Sequence, residues 1–510
     1  MKLLSKFRNE IILSLFIIAS YFLLRLIFLD KLPMFTDEAI YTRWAQIALN
    51  DSAWRFISLT DGKQPMFVWA AIVFMKFIDD PLMAARLVSV VSGFFTMIGL
   101  WLLTYELFKS RRAAFLSSAL YVFYPFAQVL DRMALYDSMV GTFFIWATYF
   151  SIVLVRKTRI DVAYTLGFVI AGGILTKTSN FFSIYLLPFL LILFNFRDKE
   201  IIKRVSKIIL LAAFSAAIAF GLYNVLRLSP LFQMIQAKNA IFVYPLKEWL
   251  EHPFTFFVGN LNGLLSWLTE YLKLPYIILI AISYVFITKF TREKFFLTVY
   301  FLIPFVALAL FGRVIFPRFI FFMSLMLLPL AATGLEYLID FVQRNIKLNI
   351  PKSFYTILLT IIFIAYPGFV SLQFAYDPIN SQIAKADNSQ YINSWAAGWG
   401  VKESIEFFKA QAKDKKIFIA TEGTFGLMPE AMELYLVNNP NIIIKGYWPV
   451  DIFPKETLKF AAKMPSYFIY YQKDHMVIPS DFPLKLLFQV KQGNNESYYR
   501  VYQVIPQQKK

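Results

Sequence analysis

Long apolar runs separated by short charged clusters fill the first three-quarters of the chain. A run of about 17–25 apolar residues crosses the hydrocarbon core as a helix, because a helix satisfies every backbone N–H and C=O within the segment. Eleven stretches fit: 11–29, 83–108, 113–130, 138–155, 160–175, 179–196, 208–226, 271–288, 295–311, 319–339 and 354–374. The first follows Lys2, Lys6 and Arg8 and imitates a signal peptide, but it is long enough to span and no small-residue cleavage site follows, so it is read as a retained helix. A shorter apolar stretch, 65–77, carries Lys76 and is expected to lie in the interface. Beyond Tyr376 the pattern changes to short strand-like runs at 417–420, 442–445, 467–471 and 498–504, with helical spacing over 429–437. The predicted architecture is a polytopic α-helical membrane domain of about eleven transmembrane helices, residues 1–374, followed by a small soluble α/β domain, residues 375–510.

Composition agrees with the pattern: 58% of residues are hydrophobic and 16% charged, with mean hydropathy +0.56. The net charge of +18 is not a nucleic-acid footprint, because the basic residues sit in short clusters between apolar runs. Those clusters are Lys109, Arg111 and Arg112; Arg156, Lys157 and Arg159; Arg197, Lys199, Lys203, Arg204 and Lys207; Lys289, Arg292 and Lys294; and Arg344, Lys347 and Lys352. They fall at alternate connections and, with the basic N-terminus, place those connections in the cytoplasm. Loops 30–82, 131–137 and 227–270 and the C-terminal domain are then extracytoplasmic. The chain has no cysteine, which excludes disulfides, thiolate metal sites and thiol nucleophiles. His252 and His475 are too far apart in sequence to suggest a metal pair, and no cofactor is indicated.

The remaining charges gather at the outer ends of the spans. Asp37 and Glu38 follow the first helix in Phe35-Thr36-Asp37-Glu38-Ala39, which also reads as a capped start of an amphipathic helix. Asp131, Arg132 and Asp137 are packed between two spans, where an unpaired carboxylate costs about 2.5–3.5 kcal/mol, so a partner or a function is implied. An internal pair with Arg132 that ties two helices together is the alternative. Lys177 ends a small-residue helix, Ala171-Gly172-Gly173-Ile174-Leu175-Thr176, and either faces the bundle interior or snorkels to the interface. Arg313 and Arg318 suit bidentate phosphate binding or interfacial anchoring, and Lys63 lies in Gly62-Lys63-Gln64-Pro65. Carboxylates and cations on one membrane face suggest chemistry on a phosphorylated lipid, the cations holding a phosphate leaving group and a carboxylate taking the acceptor's proton.

The ordered set of the acidic pair, Gly62-Lys63-x-Pro65, Arg132-x-x-Leu135-x-Asp137, Leu175-Thr176-Lys177 and Pro317-Arg318-Phe319 resembles the C-type fold glycosyltransferases, specifically the protein O-mannosyltransferase and aminoarabinose transferase group of glycosyltransferase family 39. The resemblance covers roughly 1–374. It implies inverting transfer from a polyprenyl-phosphate sugar to a hydroxyl of a protein, glycolipid or cell-wall polymer, without a nucleotide donor; the family is more similar to metal-independent enzymes than to metal-dependent ones, and a divalent metal is left open. It assigns Asp37 as general base, Glu38 as its support or as the group orienting the acceptor, and Asp137 as the second acidic position. Lys63, Lys177 and Arg318 would neutralise the lipid phosphate, with Arg132 and Arg313 as further candidate phosphate ligands. Relatives often carry Lys-Pro-Pro where this chain has Lys63-Gln64-Pro65.

The tail segments 394–403, Ser-Trp-Ala-Ala-Gly-Trp-Gly-Val-Lys-Glu, and 421–426, Thr-Glu-Gly-Thr-Phe-Gly, read as Gly-aromatic turns that could select the acceptor. A transporter or lipid flippase is the competing reading of so many spans. Such a carrier places charges near the bilayer midplane and commonly shows two related halves, whereas here the charges gather at loop edges without two-fold repetition.

Overall fold

The computed structural model describes residues 8–197, 199–286, 288–345, 351–472 and 478–506. Lys2, Lys6, Lys347 and His475 lie outside these. The apolar runs form the helices α1 (Arg8–Leu26), α2 (Thr36–Asn50), α3 (Met66–Met75), α4 (Pro81–Phe108), α5 (Arg111–Val122), α6 (Pro125–Leu130), α7 (Tyr136–Lys157), α8 (Ile160–Thr176), α9 (Ile201–Tyr223), α10 (Met234–Phe242), α11 (Phe257–Val285), α12 (Thr291–Phe311), α13 (Leu327–Asn345) and α14 (Lys352–Tyr376). Short helical turns join several of them. The tail adds α15 (Lys385–Tyr391), α16 (Val401–Gln411), α17 (Glu430–Leu436) and α18 (Lys455–Ala461), with strands β1 (Ile417–Glu422), β2 (Ile442–Tyr447), β3 (Ser466–Tyr470), β4 (Leu484–Lys491) and β5 (Tyr498–Val504).

Among the described residues seven helices are long and apolar enough to cross a membrane, or eight if Pro317–Ser324 and Leu327–Asn345, bent by 54°, make one span. The expected eleven is therefore too many as regular helices. The run 113–130 breaks at Phe123 and Tyr124, and Pro125 opens α6 as its first residue. The run 179–196 is built of short 3-10 and α turns, with Pro188 near the start of Leu187–Leu193, and α8 is an apolar helix of only 17 residues. Apolar composition located these stretches but not their helical regularity.

The chain divides into two compact units. The first comprises Met1–Ile27, Arg55–Ala70 and Arg86–Ala375, and holds the helical bundle. The second comprises Phe28–Trp54, Ala71–Ala85 and Tyr376–Lys510. The change of composition near residue 375 thus marks only one of its borders, since the second unit also takes two segments from the first long loop. Within it the sheet has the order β2-β1-β3-β5-β4, with β1 parallel to β2 and β3, and β5 antiparallel to β3 and β4. All of β1 is buried, as expected of a central parallel strand covered on both faces. One face packs Ile417, Ile419 and Ile469 against Val401, Phe408, Met432, Met34 and Ala39. The other packs Phe418, Ala420 and Phe468 with Val450, Phe453 and Ala461. Helix α2 lies in this unit because its partners are there. Arg43 pairs with Glu433 at 3.1 Å, and the Gln46 amide donates to the Leu434 carbonyl at 2.9 Å.

Candidate functional site

In the first unit the candidate cations are assembled by the turns at the helix ends. Gly62 closes a 3-10 turn, Ile57–Asp61, at φ 64, where a Cβ would fall 2.3 Å from the Met234 carbonyl oxygen, so only glycine fits. The chain leaves that turn at Lys63. The Gln64 side-chain amide then donates to the Thr178 hydroxyl at 2.7 Å, which fastens the Lys63 segment to the residue after Lys177. Lys177 itself ends α8 in extended backbone. Its ammonium meets Asp137 Oδ1 at 2.7 Å, with the two side chains only 23% and 7% exposed.

Three contacting phenylalanine rings carry the cations. Phe319 lies 5.6 Å from Phe316 and 5.8 Å from Phe242, centroid to centroid. Lys177 Nζ sits 4.7 Å from the Phe319 centroid, the Arg318 guanidinium 5.3 Å from that of Phe316, and Lys63 Nζ 5.5 Å from that of Phe242. Each distance is within cation–π range. A fourth cation, Lys238, also reaches Phe242, at 5.9 Å, and is paired with Asp61 at 2.6 Å. Two of the four cations, Lys177 and Lys238, are thus each held by a carboxylate. Lys63, Lys177, Arg318 and Asp137, separated by up to 255 positions in the chain, are thus members of one cluster. Lys238, Phe242 and Phe316 are not among the candidates read from the sequence; the basic residue in loop 227–270 was the available signal.

Other predicted residues are employed differently. Arg132 is fully buried, and its Nη1 donates to the carbonyls of Leu24 and Arg25 at 2.8 and 3.0 Å, so it ties the loop to the end of α1. Asp131 is paired not with Arg132 but with Arg25 Nε at 3.1 Å, and it also accepts from Tyr21, Tyr121 and Ser138. Arg313 stands outside the ring cluster, over Tyr244 and 3.6 Å from Glu248.

Asp37 and Glu38 belong to the second unit, in the first turn of α2. Glu38 is buried and accepts the Phe35 N–H at 3.0 Å, which closes that turn as a capping carboxylate does. Asp37, its neighbour, is half-buried. The start of the helix is held to the tail: the Thr36 N–H and hydroxyl both donate to the Ala396 carbonyl, at 3.0 and 3.1 Å, and the Gly398 N–H donates to the Met34 carbonyl at 2.8 Å. The Gly-aromatic segment 394–403 is therefore the seat of the acidic helix. Among the described residues no three His, Asp or Glu side chains group as a metal site requires.

The fold is that of the C-type membrane glycosyltransferases. ArnT from Cupriavidus metallidurans matches over 98% of this chain and 98% of its own at 13% identity, with TM-score 0.57 in the apo state and 0.59 bound to undecaprenyl phosphate. Residues 62–223 match the family described as dolichyl-phosphate-mannose-protein mannosyltransferase, a segment that holds Lys63, Asp137 and Lys177. No curated protein sequence matches the chain. The chain is a multi-span membrane protein of this fold, similar to these enzymes in architecture.

Proposed function

We propose that the protein transfers a sugar from a polyprenyl-phosphate donor to a hydroxyl acceptor on the outer side of the membrane. The observation that carries this reading is the gathering of Lys63, Lys177 and Arg318 on one cluster of aromatic rings, three cations beside apolar side chains. Such a site suits a phosphate attached to a lipid: cations fixed in low dielectric stabilise the charge that develops on the leaving oxygen. Asp37 is the general base. It takes the proton of the acceptor hydroxyl while that oxygen attacks the anomeric carbon, the bond from that carbon to the phosphate oxygen breaks, and the lipid phosphate departs with the electron pair. Attack from the face opposite the phosphate inverts the anomeric centre. Glu38 supports Asp37 by fixing the first turn of α2, and Asp137 orients Lys177 through their ion pair. Arg313, near Glu248, is a further candidate phosphate ligand. The alternating basic clusters support placing these loops and the second unit outside.

Transfer of radiolabelled sugar from polyprenyl-phosphate donors to a membrane extract, in proteoliposomes, tests the reading. Asp37→Asn keeps the shape and removes the base, and is expected to lower turnover at least 100-fold with donor binding retained. Wild-type turnover in the variant would remove Asp37 from the role. Donor lipid crossing the bilayer without any transfer would make the protein a flippase.

A further inference from the structure

The transfer reading leaves the acceptor open, and the second unit holds a feature the chemistry has not used. The two Gly-aromatic segments of the tail meet around the residue that precedes Asp37. Segment 394–403 binds Thr36 through the Ala396 carbonyl. Segment 421–426 reaches it from the other side, where a methyl added to Gly426 would lie 3.6 Å from the Thr36 Cγ2 and 3.9 Å from the Tyr471 hydroxyl. Tyr471 joins the two, its ring 6.3 Å from that of Trp395. The turn is held in place by Glu430, whose carboxylate accepts the Gly426 N–H at 3.0 Å. Gly423 and Gly426 take φ 98 and 135, in the left-handed region that favours glycine.

Two aromatic rings are left open to solvent there. Trp395 is 37% and Phe425 48% exposed. Phe425 continues an aromatic line along α2: Trp44, two turns on from Asp37, lies 6.2 Å from Phe425 and 5.7 Å from Tyr41. Asp37, Tyr41 and Trp44 are spaced i, i+4, i+7, so they share one helix face. Open rings on the two segments that meet at the start of α2 could take a peptide or a sugar. A peptide adding to the sheet needs a free strand edge, and the edges are β2 and β4, neither of which carries these rings. The apolar C–H face of a pyranose needs only a ring to lie on.

Building on the transferase reading, we propose that Trp395 and Phe425 form the acceptor subsite and that the acceptor is itself a sugar, its ring stacked on these side chains with a hydroxyl turned towards Asp37. The residues act in specificity, not in chemistry.

The test uses the full chain in membranes that contain its native acceptor, with p-benzoyl-phenylalanine in place of Phe425 or Trp395, and in place of Leu486 as a control 45% exposed on β4, the far edge strand. Irradiation is expected to attach periodate-reactive carbohydrate at 425 and 395 and not at 486. Attachment of polypeptide, of nothing, or of carbohydrate equally at 486 overturns the proposal. A second arm measures transfer to the extracted glycolipid fraction. Phe425→Ala is expected to raise the acceptor KM about tenfold and the donor KM less than twofold, with Phe425→Trp restoring the acceptor KM. A fall in kcat alone, or no rescue by Trp, overturns it. The crosslink does not depend on turnover, so failure of the transferase reading, with no transfer from any donor, is distinguishable from failure of the subsite.

Discussion

Lys177 and Arg132 look alike in the sequence, each a cation at the end of an apolar run, yet their surroundings differ. Lys177 keeps 23% of its side chain accessible and rests on the aromatic cluster, whereas Arg132 is fully buried and donates to the carbonyls of Leu24 and Arg25. Lys177→Met is therefore expected to raise the donor KM tenfold or more, and Arg132→Met to cut thermal stability with a smaller effect on donor KM. Donor titration and unfolding of both variants check this, and reversed effects would exchange the assignments. Arg25 is the partner that no local spacing could reveal, since it lies 106 residues from Asp131. The signal that existed was a lone arginine inside the first apolar run. Arg25→Met strands a buried carboxylate and is expected to cost about 3–5 kcal/mol, most of it recovered in Arg25→Met/Asp131→Asn. Denaturant unfolding in detergent measures both, and a double variant no more stable than the single would deny the pairing its role.

At the level of elements, periodicity located most helices and four of the five strands because those segments bury a continuous face. It missed β4, an edge strand with much of its length exposed and a register shift between Leu486 and Phe488, so its alternation is interrupted. Helix α17 was legible from its spacing, but the burden on its first residue was not. Burial pushes the Glu430 carboxyl up to about 7, with Glu433 adding to the rise while the Gly426 N–H and Arg43 oppose it. An unfolded glutamate titrates near 4.3, so between about 4.3 and 7 the folded chain keeps a proton that the unfolded chain has released. Stability contributed at this position is therefore full in acid, declines as pH rises through that window, and is lowest above it. Glu430→Gln, which retains an acceptor for Gly426, is expected to flatten the slope and gain up to about 3 kcal/mol at pH 8. Melting of the full-length protein at pH 5 and pH 8 reads it, and equal slopes in both proteins would refute the assignment.

For the molecule as a whole, composition separated a membrane part from a tail, because lipid and water demand different surfaces. It could not show that the acidic helix belongs with the tail, since the bonds responsible join residues 360 and 390 positions apart. Removing residues 376–510 is expected to abolish transfer by exposing the packed face of α2, including Ala39 and Trp44. Limited proteolysis at Arg43 reports this, and a loop still protected after the truncation would show that the helix stands by itself. The same long-range stitching imposes a schedule on biosynthesis. A ribosome adding about 5–20 residues per second makes Arg43 roughly 20–80 s before Glu433, so the segment bearing Asp37 waits without its seat until the last part of the tail emerges. The proposed base is the first functional group to be translated and among the last to be put in place.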